Sequence, residues 1–266
     1  MILNGPLSAI GDEFLRLRLR CPQCRAGHSN LQPDHDRHIT CRSCGRQIGF
    51  DNKAWDARVT DDYPRDFSTQ WDLWQKGVFG CTRLVYGKTQ DEDFQEVLNL
   101  LGLSVGDLSD KKVLEVGFGH GRILYEFQKH CAIGLGLDLA RPADWLNFRR
   151  GSILCSSLFD IPLMPGQFDI VICRGVIHST PDARLAFNQV VEQLAPGGKL
   201  YLYVHEKFKP RSVLLRQILP YSWKCPFFVR LAVSHLIGII AAGFRVLKEG
   251  CLSVGRARIY HGDYTL

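Results

Sequence analysis

No run of apolar residues in this chain is long enough to cross a bilayer. The longest, Leu231–Phe244, falls short of the roughly 18 residues a spanning helix needs and is broken by His235. The start, Met1–Phe14, lacks the basic flank and apolar core of a secretory leader, so the cytoplasm is the expected compartment. Lysine and arginine form no continuous tail, and a formal charge of +6 is mild for 266 residues. Nucleic acid is therefore permitted as a partner but not demanded. Internal repeats and low-complexity tracts are also missing, and 45% hydrophobic with 23% charged residues excludes a disordered, fibrous or coiled-coil chain. The length exceeds one ordinary domain, so one main core with a small accessory module is expected.

Ten cysteines are present, too sparse for the disulfide framework of a short secreted domain. Four of them fall into two pairs, Cys21-Pro-Gln-Cys24 and Cys41-Arg-Ser-Cys44. Each pair forms a turn, and this spacing lets the two turns converge on one tetrahedral ion. The reading is a structural zinc ribbon with Cys21, Cys24, Cys41 and Cys44 as ligands. A redox pair would need a thioredoxin-like strand and helix around it, and neither pair has one. His28, His35 and His38 lie between the pairs and are expected to be solvated and outside the ligand set. Cys81, Cys131, Cys155, Cys173, Cys225 and Cys251 have no paired spacing and are assigned to packing. Over the first fifty residues, seven arginines (16, 18, 20, 25, 37, 42 and 46) outnumber four acids.

Changes of pattern divide the chain into residues 1–50, the ribbon; 51–104, a connecting segment; and 105–266, the main domain. The connecting segment holds Trp55, Tyr63, Phe67, Trp71, Trp74 and Phe79, then Phe94, Val97, Leu98 and Leu101 at helical spacing. After Asp110 the order becomes strand, glycine turn, helix, strand, as in an α/β doubly wound, mostly parallel sheet. Strands are predicted at residues 113–116, 133–137, 170–173 and 199–204, with a helix at 121–129. A further helix is predicted to start with Thr180 as N-cap and Pro181 as first residue, burying Phe187, Val190, Val191 and Leu194, and to stop at Pro196-Gly197-Gly198.

Val113–Arg122, VLEVGFGHGR, places Gly117, Gly119 and Gly121 in a turn between a strand and a helix. Glycine there permits positive φ and close approach of a ligand to the backbone. The third glycine arrives one residue earlier than in the dinucleotide fingerprint, and an acid, Glu115, precedes the first. That acid would repel a pyrophosphate and attract the ammonium of a methionine moiety. Asp138 ends the next strand, where a carboxylate can accept hydrogen bonds from both ribose hydroxyls.

These motifs, with GLGLDLA, FDIVICRGVIHSTPD and LAPGGKLYLYV following in order, resemble the seven-stranded, Rossmann-like (class I) S-adenosylmethionine-dependent methyltransferases over about residues 111–204. The resemblance implies S-adenosylmethionine as methyl donor, with Glu115, Gly117, Gly119 and Gly121 around its methionine part and Asp138 on the ribose. Phe168 and Asp169 would open the strand beneath the site. Many members carry an acid on the adenine amino group where this chain has Ser157, and Asp160 is the substitute candidate. The loop from Ile172 to Pro181 would face the transferable methyl group. It holds His178, the candidate general base because an imidazole titrates near neutral pH, and Arg174, a weaker candidate for an anionic substrate group.

The same loop lacks the Asn/Asp-Pro-Pro-aromatic signature of enzymes that methylate exocyclic amino groups of nucleobases. Residues 207–225 are basic and 226–244 strongly apolar, read as the elements closing the sheet or as a substrate lid. The ribbon resembles zinc modules in front of some bacterial methyltransferases, including a group acting on ribosomal RNA guanine whose cysteine spacing differs. The leading reading is methylation of a small-molecule or lipid-linked biosynthetic intermediate. The alternatives are an RNA methyltransferase that uses the ribbon to bind RNA, and a noncatalytic ribbon adaptor.

Overall fold

The computed structural model describes residues 12–34, 37–51, 53–59, 88–140 and 147–204, all within one compact unit spanning residues 1–205. The segments at 207–225 and 226–244, His35, Cys81, Cys225, Cys251 and the aromatic residues between Tyr63 and Phe79 lie outside the described residues. Among the described residues no helix is long and apolar enough to cross a membrane.

The core is a parallel sheet in which four strands fall where the strand pattern predicts them and one, Ile153–Cys155, lies outside the predicted set. Strands β5 (Lys112–Val116), β6 (Ile133–Asp138), β7 (Ile153–Cys155), β8 (Phe168–Arg174) and β9 (Leu194–Tyr203) lie in the spatial order β7-β6-β5-β8-β9. Helix α1 (Gln90–Leu101) starts in a capping box between Thr89 and Glu92, ends at left-handed Gly102, and buries Phe94, Val97, Leu98 and Leu101. Helix α2 (Arg122–Gln128) follows the glycine turn. The order reverses direction at β5, the position where a doubly wound sheet opens a crevice at the strands' carboxyl ends.

Helix α3 (Ala183–Glu192) corrects its sequence reading. Its N-cap is Asp182, whose side chain accepts from the Leu185 amide, while Thr180 donates its hydroxyl to Ile177 O and closes the preceding turn. Of the four apolar residues expected on its buried face, Val190 is buried, together with Ala186, while Phe187 and Val191 are exposed and Leu194 opens the next strand. Strand β9 begins earlier than predicted, at Leu194, and shifts register on β8 between Phe168 and Ile170.

Strands β1 (Leu31–Pro33), β2 (His38–Cys41) and β3 (Gln47–Phe50), with β4 (Trp55–Asp56) from beyond the expected end of the ribbon at residue 50, form one antiparallel ribbon. Its last strand, β4, pairs in parallel with β7, Trp55 beside Leu154 and Asp56 beside Cys155, giving one sheet of nine strands. Trp55 secures the junction. Its indole N–H donates to both Asp12 carboxylate oxygens at 3.1 Å, and its ring packs on Phe14 and Phe50 with centroids 5.4 and 5.0 Å away. Ribbon residues Ile39 and Ile48 share a buried cluster with Leu114, Leu135 and Leu154 of the parallel sheet.

Candidate functional site

Glu115, near the end of β5, is buried and accepts the Leu124 amide at 2.8 Å. Removal from water pushes its carboxyl up to about 8, opposed by that hydrogen bond and by Arg174. Gly117, Gly119 and Gly121 all take positive φ, at 69°, 53° and 72°. The requirement is steric as well as conformational. A Cβ at 117 would lie 2.1 Å from Val176 Cγ2, and one at 121 would lie 2.4 Å from the Phe148 ring. Between them His120 is pushed down to about 3 by burial and by Arg122 and Arg174, and as a neutral ring its Nδ1 accepts the Arg122 amide.

Asp138 ends β6 on the strand next to Glu115. Its Oδ2 accepts the Gly119 amide at 2.8 Å and its Oδ1 the Ala140 amide at 2.9 Å. The sheet therefore brings Glu115, the three glycines and Asp138 together at the carboxyl ends of adjacent strands. Beyond Asp138, the Ser156 amide donates to Asp138 O at 2.9 Å and leads into residues 157–160. There Ser157 Oγ accepts the Phe159 amide and Ser157 O the Asp160 amide, a hydroxyl-stabilised turn. Asp160 pairs with Arg25 of the ribbon at 3.3 Å.

Asp169 stands at the opposite end of the sheet from the glycine turn, where it accepts the Lys112 amide at 2.8 Å and fixes the start of β5 against β8. Arg174 is engaged with Asp93 at 3.3 Å. Arg122 reaches the same carboxylate at 3.2 Å, so two arginines flank one fully buried acid beneath the glycine turn. The pattern had marked α1 only by its apolar face. A charge at position 93, beside Phe94, one turn before Val97 and one helical turn from the N-cap, is the available sign. His178 is exposed in a short 3-10 turn, Ile177–Ser179, directly after β8.

The four ribbon cysteines converge. Cys21 Sγ lies 3.6 Å from Cys44 Sγ and Cys24 Sγ 3.6 Å from Cys41 Sγ, with all four within 4.8 Å of one another. Zinc–sulfur bonds of about 2.3 Å in a tetrahedron require sulfurs roughly 3.8 Å apart, so the set fits such an ion. The amides of Gln23 and Cys24 approach Cys21 Sγ, and those of Ser43 and Cys44 approach Cys41 Sγ, an arrangement suited to thiolate charge. His28 corrects the expectation of a solvated residue: its Nδ1 accepts the Leu19 amide at 3.0 Å. His38 is half-exposed beside Asp34, and neither histidine joins the cluster. Cys131, Cys155 and Cys173 are buried, as assigned.

Residues 114–202 match a family model described as a methyltransferase domain. A tRNA U34 carboxymethyltransferase from Syntrophotalea carbinolica is 26% identical over 140 residues, 48% of this chain and 42% of that protein. A highly reducing polyketide synthase from Preussia isomera is 30% identical over 152 residues, 46% of this chain and 6% of that protein. The chain thus spans less than half the length of these relatives. A solved sugar N-methyltransferase from a Streptoalloteichus species is 19% identical, covers 53% of this chain and 55% of its own, and superposes with a TM-score of 0.38. The family model runs from β5 to β9 across the glycine turn, so residues 114–202 of this chain are similar to a methyltransferase domain.

Proposed function

We propose that the chain transfers the methyl group of S-adenosylmethionine to a small-molecule or lipid-linked biosynthetic intermediate, with residues 105–266 as catalytic domain, 51–104 as connecting segment and 1–50 as a ribbon holding one structural zinc ion. The observation that carries the cofactor reading is the placement of two carboxylates, Glu115 and Asp138, on adjacent strand ends around one glycine turn. Glu115 takes the ammonium of the methionine moiety, the turn amides lie along it, and Asp138 takes the ribose hydroxyls. When bound, the sulfonium supplies an electrophilic methyl group, and holding an acceptor in line with it supplies much of the acceleration. His178, at the mouth of β8, removes a proton from the acceptor where the acceptor is acidic.

The ribbon's arginines bear on the choice between small-molecule and RNA substrates. Six of the seven make contacts within the chain: Arg16 with Ala132 O, Arg18 with Pro165 O, Arg20 with Ile161 O, Arg25 with Phe159 O, Arg42 with Gln32 and Arg46 with Arg58 O. Each is thereby tied to the chain, and Arg16, Arg18, Arg25 and Arg42 are at the same time exposed. The RNA reading draws on the likeness to a tRNA-modifying protein. The two separate by following radiolabelled methyl groups from S-adenosylmethionine into the small-molecule, lipid and RNA fractions of a cell extract. Label in the small-molecule or lipid fraction is the expected result; label confined to RNA replaces it with the alternative, and no transfer with intact cofactor binding supports the adaptor.

A further inference from the structure

Besides the β4–β7 pairing, the loop after β7 makes a continuous set of contacts with the N-terminal region. The Arg20 amide donates to Pro162 O at 3.0 Å and the Met164 amide to Arg18 O at 2.8 Å, with Leu19 bridging Leu163 between them. Gln167 clasps Arg18 from both sides, its Oε1 accepting the Arg18 amide and its Nε2 donating to Arg18 O. Arg20 Nε donates to Ile161 O at 3.0 Å, and Arg25 Nη2 donates to Phe159 O at 2.5 Å while pairing with Asp160. From Phe159 to Met164 the loop is thus held along its length by Arg18–Arg25, the segment and turn that carry Cys21 and Cys24.

Arg25 occupies an unusual position for this work. It follows Cys24 directly and takes φ of 63°, where the matching residue of the second cysteine turn, Gly45, takes 75°. A left-handed residue is ordinarily glycine there. The chain keeps a long cationic side chain at this point, and that side chain reaches the turn of residues 157–160. The turn in turn adjoins the cofactor carboxylate, because the Ser156 amide is bonded to Asp138 O. Under the cofactor reading above, in which Ser157 and Asp160 are the adenine candidates, a nucleoside whose ribose lies on Asp138 has its base toward the turn of residues 157–160.

We propose that Arg25 is a positioning residue for the nucleoside base: the first cysteine turn, fixed by its metal, sets the turn of residues 157–160 through Arg25, and so forms the outer wall of the cofactor site. This rests on the S-adenosylmethionine reading above. The ribbon is then part of the cofactor site rather than a separate recognition module, and cofactor affinity depends on a residue in the ribbon.

The test is calorimetric titration of S-adenosylhomocysteine into full-length, zinc-loaded wild type, Arg25→Gly, Arg25→Lys and Arg42→Gln. Glycine suits the positive φ, so Arg25→Gly removes the guanidinium and leaves the cysteine turn. The expected result is a roughly three- to tenfold weaker Kd for Arg25→Gly, partial recovery in Arg25→Lys, and no change in Arg42→Gln, whose side chain bonds Gln32. Zinc content and ligand-free melting temperature stay at wild-type values, and 5′-methylthioadenosine, which has the nucleoside without the amino acid, loses affinity by the same factor. Hydrogen exchange on wild type gives a second reading, with the ligand protecting amides at both 21–26 and 157–163. Wild-type affinity in Arg25→Gly, or protection confined to the glycine turn, overturns the inference and leaves the cofactor site standing. Absence of binding by wild type removes both.

Discussion

Gly119 donates its amide to the Asp138 carboxylate over 2.8 Å, so the turn assigned to methionine and the acid assigned to ribose form one hydrogen-bonded unit. Neither can be altered without disturbing the other. Asp138→Ala should therefore weaken S-adenosylmethionine and S-adenosylhomocysteine together, by tenfold or more, and loosen the turn even without ligand. In wild type both compounds should raise the melting temperature through binding to the folded state, while NAD should not. Calorimetry showing NAD binding and no response to either sulfur compound would remove the cofactor assignment.

Purified protein should carry one zinc ion per chain, and Cys21→Ser or Cys44→Ser should lose it, since three ligands leave a structural site open. Because ribbon and parallel sheet share a buried cluster, metal loss should also lower the melting temperature of the whole described unit rather than of the ribbon alone. Elemental analysis finding no zinc in protein with free thiols intact defeats the assignment.

Glu115 gives a pH dependence with a definite sign. The unfolded chain ionises it near its ordinary 4.5, and the folded protein holds it up to about 8. Between these values the folded state binds more protons, so its contribution to stability is complete below about 4.5 and is lost as pH rises through about 8. Urea midpoints of wild type should fall relative to those of Glu115→Gln from pH 5 to pH 8.5. A bound ammonium favours the ionised form, so titrating S-adenosylmethionine at pH 7 should release a proton, seen as a heat that varies with the buffer's ionisation enthalpy. A constant offset between the two proteins across pH, with no buffer dependence, contradicts this account.

Asp93 lies fully buried between Arg122 and Arg174. Removing its charge leaves two guanidiniums without their shared partner, a change that ordinarily costs about 3–5 kcal/mol. Asp93→Asn should show a loss of that order in urea unfolding and should disorder the glycine turn, which Arg122 follows directly. A loss below about 1 kcal/mol would mean that water or other groups already satisfy the arginines.

His178 separates a chemical from a positional role. Once a methyl acceptor is in hand, His178→Ala should slow transfer at saturating cofactor and substrate while leaving S-adenosylhomocysteine affinity within about twofold. The rising limb of the wild-type pH profile should vanish or move to the acceptor's own ionisation. Matching single-turnover rates across pH would leave alignment alone as the source of acceleration.

The parallel sheet, the glycine turn, the strand-end acids Glu115 and Asp138 and the cysteine cluster are legible because each rests on local pattern: strand periodicity, positive-φ glycine, acid at a strand end, Cys-x-x-Cys spacing. What escaped the sequence was long-range. Nothing local says that Trp55 will bond Asp12, that Asp93 will collect arginines from positions 122 and 174, or that Arg25 will reach residues 159 and 160. His28 departs from its expected solvation for the same reason, since its partner, Leu19, precedes the first cysteine pair and carries no side-chain polarity to advertise the bond. The start of α3 failed differently, because Thr180 and Asp182 are both good caps and the turn after β8 claimed the first.

The pairing of β4 with β7 also bears on solubility. Without it, Ile153–Cys155, wholly buried in the protein, would be a bare apolar edge, the kind of strand that recruits another chain. The ribbon replaces that edge with β1, three residues long and ending at Pro33, which has no amide to offer a newcomer. A chain trimmed to begin after residue 58 should thus aggregate during expression even with its glycine turn intact, and fusion at the amino terminus should be tolerated only where it leaves β4 docked.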